Sequence, residues 1–72
     1  MSVGTWVPNL NSKAMKYYEI NDVQHVAIWP GTSGQYFAQI CGNIYEKIYR
    51  FENEEKAKVG ILKIWLEKKV CR

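Results

Sequence analysis

Between positions 53 and 70 the apolar residues recur three and four apart. Ala57, Ile61, Ile64 and Trp65 form one stripe, Leu62 and Leu66 widen it, and Val59 and Val70 lie further round. That spacing predicts a helix over 53–70 with one face against a core. Asn53 stands where an N-cap belongs. Glu54 and Glu55 occupy the first turn, and Lys68, Lys69 and Arg72 gather at the far end, so each sign matches the helix dipole. Glu54 and Lys58 are spaced as an i,i+4 ion pair. Gly60 costs a helix about 1 kcal/mol relative to alanine. Its place beside the stripe predicts close approach of a strand.

Upstream the pattern shortens to runs separated by turn residues. Cys41-Gly42-Asn43-Ile44 and Ile20-Asn21-Asp22-Val23 read as two-residue hairpin loops, and Pro30-Gly31-Thr32-Ser33-Gly34 as a longer loop. Strands are expected at about 15–20, 23–29, 35–41 and 44–51. Residues 1–14 form an N-terminal arm, or an extra edge strand through Gly4-Thr5-Trp6-Val7 ended by Pro8. Strands first and one long helix last predict a single α+β domain over 1–72: a four-stranded antiparallel meander packed on a C-terminal helix.

Side chains alternate across a strand, so the turns assign the faces. A two-residue loop at 42–43 pairs Cys41 with Ile44, Gln39 with Glu46, Phe37 with Ile48 and Gln35 with Arg50. The inner face, under the helix, then carries Met15, Tyr17, Val26, Ile28, Tyr36, Ala38, Ile40, Tyr45, Lys47, Tyr49 and Phe51. The outer face carries Lys16, Tyr18, Ile20, Val23, His25, Ala27, Trp29, Gln35, Phe37, Gln39, Cys41, Ile44, Glu46, Ile48 and Arg50. Aromatic, basic and amide side chains mingle on that outer face, and an exposed surface of this kind commonly binds a partner.

Composition narrows the classes. The chain has 72 residues, 47% of them hydrophobic and 24% charged, which is ordinary for a globular domain and leaves room for one core. No run reaches the roughly 20 apolar residues that span a bilayer, and the first ten residues lack the pattern of a secretory signal. A cytoplasmic protein without a membrane partner is expected. The net charge of +3 is mild. Residues 1–51 hold four cations and three acids, and 52–72 hold six and four, the mixture of a solvated helix. Nine of the ten aromatic residues precede residue 52, where the strands are expected.

Chemistry-bearing motifs are sparse. Cys41 and Cys71 match no zinc or redox spacing and are expected to be free thiols. His25 is the one histidine, placed opposite Gln39 and diagonal to Cys41. A Cys–His pair can supply a thiol nucleophile, yet no third group orients it. The stretch Gly31-Thr32-Ser33-Gly34 lacks the following Lys-Ser/Thr and helix of a phosphate loop. No catalytic site, metal, cofactor or small-molecule site is therefore expected. The candidate binding residues are Lys16, Tyr18, His25, Trp29, Gln35, Phe37, Gln39 and Arg50. Protein docking or self-association through that face is the leading expectation, because Trp, Tyr and Arg anchor interfaces.

The alternative is nucleic acid, with Tyr18, Trp29 and Phe37 stacking on bases, Lys16 and Arg50 meeting phosphates, and Gln35 and Gln39 reaching base edges. Three strands with a trailing helix are similar in layout to the arm-type DNA-binding domains of integrases, which lay such a sheet in the major groove. No motif is shared, and these strands carry fewer arginines. In a third arrangement the N-terminal arm folds over the face, with Trp6 and Val7 packed near Trp29 or Phe37, and closes it as a second small core.

Overall fold

A computed structural model describes residues 4–41 and 47–70, without the side chains of Lys13, Lys69 and Val70. Five strands, β1 (Thr5–Asn9), β2 (Ser12–Ile20), β3 (Val23–Pro30), β4 (Tyr36–Ile40) and β5 (Tyr49–Phe51), precede helix α1 (Glu54–Val70). They form one antiparallel sheet in the order β1-β2-β3-β4-β5, with α1 across β3, β4 and β5. The α+β class and the C-terminal helix agree with the pattern in the sequence. The N-terminal segment is an edge strand, so residues 5–9 extend the sheet and do not lie across it. Pro8 sits within β1 opposite Lys16. An edge strand tolerates it because only one side of its backbone needs a ladder.

The helix begins as its sequence dictates. Asn53 Oδ1 accepts a hydrogen bond from the Lys56 amide at 2.9 Å, and the Asn53 carbonyl accepts from the Ala57 amide at 3.0 Å. The cap satisfies amide groups that the first turn leaves without intrahelical partners. Val26, Ile28, Ala38, Ala57 and Ile61 are fully buried and form the core, with Trp6, Tyr18, Tyr36, Ile40, Tyr49, Phe51, Leu62 and Trp65 packed around them. Gly60 lies against Phe51. A Cβ at position 60 would stand 2.7 Å from the Phe51 ring carbon Cζ, so the ring occupies the space that any other residue needs.

The hairpin between β2 and β3 turns on Asn21 and Asp22, both at positive φ (53° and 64°), as a type I′ turn requires. Ile20 pairs with Val23 and Glu19 with Gln24, as a two-residue loop demands. Beyond them the ladder slips. Tyr18 pairs with Val26, Tyr17 with Ala27 and Lys16 with Ile28, so His25 is an extra residue on β3. This β-bulge reverses the expected faces of β2. Lys16 and Tyr18 lie on the helix side, and Met15 and Tyr17 lie on the outer side. His25 also turns inward, where its ring stacks on Trp65 at 4.6 Å.

Two further registers differ without changing faces. Ala27, not His25, stands opposite Gln39. Phe37 stands opposite Arg50, where Ile48 was expected, and Tyr36 and Ala38 meet Phe51 and Tyr49. A shift of two residues keeps every side chain on its side, because the strand period is two. The bend expected at Gly42-Asn43, with Ile44, Tyr45 and Glu46, lies outside the described residues, as does Cys71.

Candidate functional site

The outer face is built from two rows that cross the sheet. One runs Val7, Tyr17, Ala27, Gln39 over four strands; the other runs Trp29, Phe37, Arg50 over three. Met15, two residues before Tyr17 on β2, shares this face, and its sulfur accepts from Asn9 Nδ2 at 3.5 Å. Cross-strand neighbours on one face are the contact unit of a sheet. Trp29 and Phe37 show it, with ring centroids 6.1 Å apart and planes tilted by 33°. Ala27 is buried between its larger neighbours although no helix lies on this side. Among the described residues nothing packs over the two rows, and Ile48, beside β5, is 54% exposed.

Five of the eight sequence-derived candidates belong to this face. Trp29, Phe37, Gln39 and Arg50 stand in the rows, and Gln35 stands at the end of the β3–β4 loop. Gln35 also braces that loop. Its Oε1 accepts from the Ser33 amide at 2.8 Å, and its backbone carbonyl accepts from the Gly31 amide at 2.6 Å. The face also includes Val7, Met15 and Tyr17, which the sequence reading assigned elsewhere. Alternation along β2 was the right signal for Met15 and Tyr17, but the bulge inverted its phase.

Lys16, Tyr18 and His25, expected on the outer face, lie on the helix side. Lys16 Nζ donates to Glu54 Oε2 at 2.6 Å, tying β2 to the first turn of α1. That hydrogen bond raises the Lys16 pKa and lowers the Glu54 carboxyl below its ordinary value. Glu54 therefore serves Lys16 in preference to an i,i+4 bond with Lys58, whose ammonium lies 5.9 Å from the centroid of Trp6. Tyr18 packs between Trp6 (5.4 Å) and Trp65 (6.4 Å), and its hydroxyl accepts from the Gly4 amide at 2.9 Å.

The bulge also dissolves the thiol–imidazole arrangement. The His25 ring lies on Trp65, while alternation along β4 turns Cys41 to the outer side, and the two residues meet only through the backbone, Cys41 N–H to His25 carbonyl at 2.8 Å. Burial pushes the Cys41 thiol pKa up, away from the reactive thiolate. Among the described residues no three His, Cys, Asp or Glu side chains gather as a metal site, and no helix is long and apolar enough to cross a membrane.

With Lys16 on the far side, the described charges of the outer face are Arg50 on β5 and Glu19 on β2. Lys56, Lys58 and Lys63 of α1 lie across the sheet from it. What remains is an aromatic and aliphatic platform, close to neutral, on an otherwise basic chain. No protein family, curated protein or solved structure matches the chain.

Proposed function

We propose that the chain is a small non-enzymatic interaction domain that works through the outer sheet face, with a second copy of itself as the partner. The observation that carries this reading is the uncovered pair of rows centred on Trp29, Phe37 and Tyr17. Aromatic residues, methionine and arginine are the types enriched where proteins meet. Two copies of a nearly neutral face can approach with little like-charge repulsion, whereas two helix faces would bring Lys56, Lys58 and Lys63 together.

Core size favours the same reading. Among the described residues, three of the six buried hydrophobics are alanines. A domain with so little buried side chain gains from apolar area closed by association. Nucleic acid fits this face less well, since Lys16 is engaged by Glu54 and Glu19 offsets Arg50.

Light scattering tests the reading. At about 100 μM the wild type should show twice the 8.4 kDa chain mass, because a modest interface of μM affinity is then mostly occupied. Trp29→Glu/Phe37→Glu should run as a folded monomer. A monomeric wild type, or a dimer unmoved by the double variant, sinks the proposal.

A further inference from the structure

We infer that the free edge of β5 is a second binding site, one that takes an extended acidic peptide as a sixth strand. β4 is the only described strand that pairs with β5. Alternate residues of Tyr49–Phe51 therefore turn their N–H and C=O groups away from the sheet. At the C-terminal end of β5, between the β3–β4 loop and the start of α1, lies an open cleft of about 520 Å³, lined by Ser33, Gln35, Arg50, Phe51, Glu52 and Lys56. Addition of a strand to such an edge draws affinity from main-chain hydrogen bonds and specificity from alternate side chains.

Charge selects the occupant. Lys56 is already held by Glu52 at 2.7 Å. Arg50 is exposed, and among the described residues its guanidinium makes no hydrogen bond or ion pair. A planar guanidinium on an edge strand is matched by a carboxylate, which accepts two parallel hydrogen bonds from it. An incoming strand that alternates acidic and aliphatic residues sets its carboxylates beside Arg50 and its apolar side chains beside Phe51. A second β5 centred on Arg50 would set two guanidiniums against each other, which is unfavourable for directly opposed residues. The other edge of the sheet is a poorer template, since Pro8 removes a donor from β1.

Fluorescence anisotropy tests this with a labelled seven-residue peptide of alternating valine and glutamate. Wild type should bind it, and Arg50→Glu should weaken binding by about tenfold or more, the scale of a lost charged hydrogen bond. Arg50→Gln should give an intermediate loss, with circular dichroism confirming that both variants fold. A fully N-methylated peptide, unable to donate to the edge, should not bind. A Tyr17→Glu variant, changed on β2 three strands away from β5, should bind the peptide like wild type, which separates this site from the outer face. Absence of binding at about 1 mM, equal binding by Arg50→Glu, or equal binding of the N-methylated peptide overturns the assignment.

Discussion

Lys16 and Glu54, 38 residues apart in the chain, meet at 2.6 Å where β2 faces the first turn of α1. Their side chains keep 36% and 29% of their exposure, so solvent screens the pair. A coupling energy of about 0.5–1 kcal/mol is expected from a Lys16→Met/Glu54→Gln double-mutant cycle in urea near neutral pH. The Glu54 pKa is lowered by folding, so its contribution is present above the unfolded carboxyl value of about 4.3 and is lost as pH falls through the lower native value. The Lys16 pKa is raised, so its contribution is present below about 10.4 and is lost as pH climbs through the higher native value. A cycle repeated well below the native Glu54 value should give no coupling.

Gly60→Ala offers a test in which two effects oppose. Alanine gains about 1 kcal/mol of helix propensity. Its methyl group enters the Phe51 ring, and overpacking costs about 1–3 kcal/mol. Net destabilisation is expected in the wild-type background. With Phe51→Leu already in place, the same change should turn neutral or stabilising, as read by thermal unfolding.

Asp22 holds a φ of 64°, which glycine adopts without a Cβ penalty. Asp22→Gly creates Asn21 followed by glycine, the favoured pair for a type I′ turn. Stability should rise by about 0.5–1 kcal/mol after the entropic cost of glycine. Unchanged or lower stability in chemical denaturation would argue against the turn.

Two apolar residues of the same helix should respond very differently. Ile61 is fully buried and Val59 is 67% exposed. Truncation of Ile61 to alanine should cost about 2–5 kcal/mol, a large fraction of the stability of so small a domain. Val59→Ala should stay within about 0.5 kcal/mol.

Much of this fold was legible in the residues. Asn53, the acidic first turn and the Ala57–Ile61 spacing marked the helix, because capping and burial act locally and leave a periodic trace. Gly60 marked a close contact for the same kind of reason. The Asn21-Asp22 turn was equally readable. The bulge at His25 was not. No residue type announces an extra position on a strand, and a single insertion exchanges the sides of everything beyond it. Tyr17 and Tyr18 then trade places, and two tyrosines in succession give no pattern that resists the exchange. The β4–β5 register escaped as well, yet harmlessly, since a slip of two left Phe37 and Arg50 on the side expected for them. Trp29 and Phe37 therefore stayed on the outer face, while Lys16, Tyr18 and His25 left it.

Pro8 has a consequence for assembly. A sheet whose two flanks can each accept a strand will stack head to tail without end, which is the geometry of a filament. Here Pro8 blunts one flank, so the ladder passes less readily from β5 to the next β1. Sideways growth of this sheet is therefore disfavoured.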